Sequence, residues 1–325
     1  MAVPVAVAAV SALLTAGVVM LALDRDPADD LATVLPTALR PAGVGGQEIP
    51  APVLEVVAWD GPKPRYGSAV VYGSDGVVVT SAAVVHGAAS IELRTADAEI
   101  RAEVVGVDVE TDVAVLRVPT RLLGAPAFSR LASAAGTHSG EPCQVVAMEA
   151  RSGGVRVIGG RVAGTGVAVP LDDTWLVDAI EFEAATGASA AGGALLDADG
   201  RLVGIVTSAR SERGGRPLAV PAATVARSVE AILGGGDVTH AWLGIGARDE
   251  PSAGGAVVVS VAEDSPAGRA GIQPGDIVTA VGDDPIPDTG ALMRAVRSRA
   301  PGERVRIVVR RAEAELELTA RLDGR

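Results

Sequence analysis

Apolar and polar positions follow three patterns along this chain. The first is an unbroken apolar run, Ala2–Leu23, long enough to span a bilayer, which stops at Asp24-Arg25-Asp26. No basic residue precedes it and no small-x-small site closes it, so residues 1–23 are expected to form an uncleaved transmembrane helix rather than a removed leader. With no lysine or arginine before the run, charge does not give its orientation. Residues 24–52, rich in proline, alanine, glycine and acid, have no sustained period and read as a flexible linker.

The second pattern is a series of short β-rich runs punctuated by glycine: Ser68–Tyr72, Gly76–Thr80, Ile91–Arg94, Val104–Val107, Val113–Val118, Gln144–Met148, Val155–Val169 and Leu202–Thr207. Such spacing predicts a sandwich or barrel. The third is helical: Pro221–Leu233 places apolar residues at helical spacing and stops at Gly234-Gly235-Gly236. Residues 53–233 are thus one β domain and 234–240 a hinge. Residues 241–325 form a second module with strands at Val257–Val261, Ile277–Val281, Val305–Val309 and Leu316–Ala320, and a helix at Thr289–Arg299.

Composition narrows the function. The chain has 40 glycines and 2% aromatics, which suits a mainly β protein with tight turns. Its net charge of −12, without a basic patch, argues against nucleic acid as a partner. A single cysteine, Cys143, excludes an internal disulfide and reads as a small buried hydrophobe. With three histidines and that one cysteine, no metal-ligand cluster stands out, and no cofactor is expected.

Two stretches carry a resemblance. Trp242–Ile245 (W-L-G-I) and Ser265–Val278 (S-P-A-G-R-A-G-I-Q-P-G-D-I-V) resemble the PDZ domain attached to bacterial HtrA/DegP-type proteases. In that family the loop matching Leu243, Gly244 and Ile245 offers backbone N–H groups to a peptide's terminal carboxylate, and the peptide adds as a strand. Leu292 and Val296, at i and i+4 on the expected helix, either line that groove or belong to the core. Upstream, Gly67–Thr80, Thr80–Val85, Asp112–Val118, Gly192–Ile205 and Leu218–Pro221 resemble, in family order, the landmarks of the HtrA protease domain. The resemblance implies a two-barrel, chymotrypsin-like domain followed by one PDZ domain.

It also assigns a catalytic triad, and most of that triad is missing. A serine protease needs a hydroxyl nucleophile, an imidazole base and a carboxylate to orient it. Asp112 matches the carboxylate, but Ala83 stands at the histidine position and Ala191 at the serine position. The oxyanion loop is matched by Ser189, Ala190, Ala191 and Gly192, with Ser189 where the family has glycine. Asp112, having no imidazole to orient, becomes a cap for backbone N–H groups or a structural polar residue. His86, three residues after Ala83, and Ser189, two before Ala191, are the alternative catalytic pair. Each is displaced far beyond the ~1 Å that catalytic geometry tolerates. His138 and His240 read as exposed loop residues.

The reading is therefore a membrane-anchored, extracytoplasmic pseudoprotease that binds peptide C termini or unfolded segments. Its expected assembly is a homo-trimer or a complex with an active HtrA relative. Two alternatives stand beside it: an active serine endopeptidase using His86, Asp112 and Ser189, and a holdase-like envelope chaperone.

Overall fold

The alternating strands close on themselves twice. The computed structural model describes residues 53–73, 75–94, 98–119, 137–151, 154–171, 174–211, 214–235, 238–250 and 252–325, all within one compact unit. The expected anchor and linker lie outside these residues. Among the described residues no helix is long and apolar enough to cross a membrane.

The first barrel contains β1 (Val53–Asp60), β2 (Lys63–Val71), β3 (Val77–Ser81), β4 (Ser90–Arg94), β5 (Glu99–Asp108) and β6 (Val113–Arg117), closed in the order β1-β2-β3-β6-β5-β4. A one-turn helix, α1 (Ala82–Val85), follows β3 directly. The second barrel contains β7 (Pro142–Met148), β8 (Val155–Leu171), β9 (Thr174–Glu183), β10 (Ala194–Leu196), β11 (Leu202–Arg210) and β12 (Pro217–Pro221), closed as β10-β11-β12-β9-β8-β7. Closure leaves neither sheet with an unpaired edge.

One apolar cluster joins the two barrels: Val70, Val79 and Val115 from the first, Val146, Leu196 and Leu202 from the second, and Val225, Val229 and Ile232 from α2 (Ala222–Leu233). A separate cluster around Cys143, Phe182 and Leu195 fills the second barrel. The helix α2 crosses from the end of β12 back onto the first barrel, so it fastens the pair.

The C-terminal module has its own core. Its main sheet runs β14 (Ile245–Asp249), β15 (Ala256–Val261), β16 (Ile277–Val281), β18 (Arg304–Arg311) and β19 (Ala314–Arg321). The short β17 (Asp284–Pro285) pairs with β16, and β13 (Ala241–Trp242) pairs with β20 (Asp323–Gly324). Helix α3 (Pro266–Ala270) is capped by Ser265, whose hydroxyl accepts from the Gly268 amide. Helix α4 (Thr289–Arg297) is capped by Asp288, which accepts from the Ala291 amide at 2.7 Å. The edge of β14 away from β15 has no partner strand among the described residues.

Candidate functional site

Asp112 sits at the end of the β5–β6 turn, with φ +56°, and it is almost fully buried. Its carboxylate accepts the Ser81 hydroxyl at 2.9 and 2.8 Å and the Ala83 amide at 2.9 Å. Thr207 and the Ser208 amide add further hydrogen bonds. Burial pushes the carboxyl above its usual range; these donors pull the other way without cancelling it. Asp112 therefore ties the start of α1 to β6 and β11. A carboxylate has about four lone-pair sites, and those of Asp112 are taken by the chain's own groups.

Ala83 projects a methyl into an open cavity beside this carboxylate, and His86 lines the same cavity. His86 is exposed. Its amide donates to Ala82 O at 2.8 Å and its carbonyl accepts from Arg65 at 2.5 Å. Its ring makes no hydrogen bond to Asp112 or Ser189 among the described residues.

The glycine-rich loop is held by Ser68 on one side and by Val206, which exchanges backbone hydrogen bonds with Gly192 and Gly193, on the other. The Ser68 amide donates to Ala191 O at 2.7 Å and its hydroxyl to Ser189 O at 2.7 Å, while that hydroxyl accepts from the Met148 amide at 2.8 Å. Its carbonyl accepts the Thr80 hydroxyl. Gly192, at φ +85°, passes so close that a Cβ would lie 1.9 Å from Ser68 O. No other residue fits there. Within the loop, residues Ala188–Ala190 form a 3-10 turn in which the Ala191 amide donates to Ala188 O at 3.3 Å. An oxyanion hole needs donors aimed outward at the developing charge. Here the Ala191 amide is turned onto its own chain, and Ala191 is buried with only a methyl to offer.

The C-terminal module faces the barrels across that same cavity, of 970 Å³. Leu243, Gly244 and Ile245 line it, as do Leu292 and Val296 of α4. Leu292 and Val296 are also members of the module's core. Gly244 has φ +82°, and a Cβ there would come within 2.3 Å of Ser265 Cβ. The Leu243 and Gly244 carbonyls accept from Ala267 and Ala262, while their amides donate to no acceptor among the described residues. That is the arrangement a terminal carboxylate requires.

Polar contacts that the sequence did not disclose hold the module in place. Asp108, buried at the end of β5, accepts from the hydroxyls of Thr111 (2.6 Å) and Ser228 (2.8 Å) and pairs with His240 Nε2 at 2.9 Å. His240 thus departs from the exposed loop residue expected: it is half-buried and links the hinge to the first barrel. Burial pushes the Asp108 carboxyl up, but His240 and the hydroxyls outweigh it and hold it below the usual carboxylate range. Two residues on, Glu110 pairs with Arg297 of α4. Asp108 and His240 are 132 residues apart, a separation over which no local pattern could reveal the pair. His138 is exposed, as its loop context suggested. Cys143 is buried, which pushes its thiol up to about 11. Among the described residues, no His, Cys, Asp or Glu group is placed to hold a metal.

Comparison with known proteins matches this architecture. A trypsin-like peptidase domain model matches residues 67–205 and a PDZ domain model residues 242–322. The "Probable periplasmic serine endoprotease DegP-like" of Brucella suis is 32% identical over 274 residues, covering 77% of this chain and 51% of the relative. The "Serine protease PepD" of Mycobacterium tuberculosis is 32% identical over 218 residues, covering 62% and 46%. The chain spans about half the length of the curated relatives it matches. Among solved structures, the HtrA-type protease AlgW with tripeptide superposes with a TM-score of 0.70 at 31% identity, covering 85% of this chain and 94% of that one. The same protease with decapeptide gives 0.67 at 29% identity, covering 85% and 96%. The chain therefore belongs to the DegP/HtrA family, with a trypsin-like peptidase domain followed by a PDZ domain.

Proposed function

We propose that this protein is an extracytoplasmic, HtrA-like pseudoprotease that binds the C termini or unfolded segments of other polypeptides and does not cut them. The observation that carries the reading is the state of Asp112. Its carboxylate is engaged by Ser81, the Ala83 amide, Thr207 and Ser208, and the positions matched to base and nucleophile are Ala83 and Ala191. Without a base or hydroxyl nucleophile, a dismantled triad retains at most ~10³–10⁴-fold acceleration over water, and that remnant needs an oxyanion hole. The Ala191 amide, bonded to Ala188 O, weighs against one.

Relocated catalysis by His86 and Ser189 finds little support. His86 lines the cavity beside Asp112, whereas Ser189 is absent from the lining and its carbonyl is fixed by Ser68. Peptide capture fits the free amides at Leu243 and Gly244 and the unpaired edge of β14. Placement outside the cytoplasm rests on the relatives' description as periplasmic and on the apolar run Ala2–Leu23 as a single-pass anchor. Assembly as a homo-trimer, or with an active HtrA relative, belongs to the same reading. Isothermal titration with peptides ending in a free carboxylate tests it. The full chain is expected to bind them, and Gly244→Val to abolish binding by closing the loop onto Ser265. Equal binding of an amidated peptide would contradict it.

A further inference from the structure

A second cavity, of 790 Å³, opens at the hinge and takes its walls from α2 and α4. Four arginines line it: Arg227 from α2, and Arg294, Arg297 and Arg299 from α4 and the turn after it. Three carboxylates line it with them, Glu110, Asp178 and Asp284. Two of these are spent, since Glu110 pairs with Arg297 and Asp284 with Arg299 at 3.0 Å. His240, also in the lining, is engaged with Asp108 at 2.9 Å.

That leaves Arg227 and Arg294. Arg227 gives one N–H to the Thr224 hydroxyl at 3.1 Å, and the Arg294 side chain has no ion pair or hydrogen bond among the described residues. Glu230, one turn along α2 from Arg227, makes no ion pair with it. Asp288, the cap of α4, lies with the Arg294 guanidinium beside Gly290, but it accepts from the Ala291 amide and forms no ion pair. The uncommitted charge in the lining is therefore two guanidiniums against the one carboxylate of Asp178, in a chain whose net charge is −12. A cation in the last turn of a helix offsets its dipole, which accounts for Arg294 and Arg297. Arg227 stands in mid-helix, where no such account applies. Thr224 and Thr239 line the same space, and each hydroxyl has its proton without an acceptor among the described residues. A guanidinium presents a planar fork of donors that matches the oxygens of a phosphate, and hydroxyls complete such a shell.

We infer that this cavity binds a phosphate group, held between Arg227 of the barrels and Arg294 of the C-terminal module, with Thr224 and Thr239 donating to its remaining oxygens. The group belongs to a free phosphate compound or to a phospholipid headgroup. The site is separate from the Gly244 loop and stands whether or not peptides bind there. Because its two arginines sit on different modules, the anion adds a tie across the hinge.

Inorganic pyrophosphate, titrated into the full chain at fixed ionic strength with chloride as the comparison anion, tests this. Binding is expected, and Arg227→Gln and Arg294→Gln should each weaken it about tenfold. Arg304→Gln, at an exposed arginine of β18 outside the lining, should leave it unchanged. In the unaltered protein, pyrophosphate should slow amide exchange within residues 224–231 and 238–241, a readout that needs no variant to fold. A soluble short-chain phosphatidic acid, titrated in the same way, separates the two sources: tighter binding than pyrophosphate assigns a headgroup, weaker binding a free phosphate compound, and either upholds the inference. Absence of binding by both, undiminished binding in Arg227→Gln or Arg294→Gln, or equal weakening by Arg304→Gln overturns it.

Discussion

At the scale of single residues, Ser68 and Asp108 do work that no motif announced. Ser68 uses its amide, hydroxyl and carbonyl to hold Ala191, Ser189, Met148 and Thr80. Replacing it with alanine strands the Met148 amide in the core, and chemical denaturation is expected to show a loss of about 1–3 kcal/mol. Asp108 makes stability depend on pH. Its folded pKa lies below the unfolded value, so its contribution is present above ~3.9 and is lost as pH falls through the folded pKa. Asp112 has the opposite sign: its folded pKa is raised, so its contribution is present at low pH and lost as pH rises through that pKa. Asp108→Asn should therefore lower the melting temperature near pH 7 and lose less than the parent as pH falls from about 4 through the folded pKa. A parallel acid slope in the two proteins would contradict this assignment. Asp112 was assigned to a family position from the local string D-V-A-V-L-R-V. Ser68 was hidden because its partners come from three distant segments and serine is ordinary in a strand.

At the scale of elements, alternation was a good guide to strands in which one face is apolar without interruption. The helix expected at Thr289–Arg299 forms over Thr289–Arg297, with Asp288 supplying the cap. The strand β9 is not among the expected runs, because acids recur along it at Asp178, Glu181 and Glu183. The backbone instead presents those acids outward or at half-burial, while Leu176, Ala179, Ile180 and Phe182 are buried. The strands β10 and β12 escaped for another reason: runs of three to five residues are too short to show a period until a closed sheet supplies their partners. Phe182 is fully buried in the second barrel, so Phe182→Ala should cost about 3–5 kcal/mol in denaturant unfolding. A loss below 1 kcal/mol, on the order of a surface change, would mean that the barrel core is not packed as described.

At the scale of the whole molecule, the turn Asp108–Asp112 is where the parts meet. Asp108 holds the hinge through His240, Glu110 holds α4 through Arg297, and Asp112 holds α1 and β11. In the proposed reading Asp112 serves as a structural clamp, while Ala83 and Ala191, at the positions the family resemblance matches to base and nucleophile, carry methyl groups. That reading of Ala83 and Ala191 rests on sequence order, since the family landmarks run collinearly along the chain. The shared cavity was not legible, since its lining is gathered from separate segments scattered between Ala82 and Arg325. The most direct test is to incubate the purified chain with an unfolded protein substrate and a serine-directed fluorophosphonate probe, reading cleavage and labelling by mass spectrometry. The account predicts neither cleavage nor labelling. Turnover that disappears in Ser189→Ala or His86→Ala would contradict it.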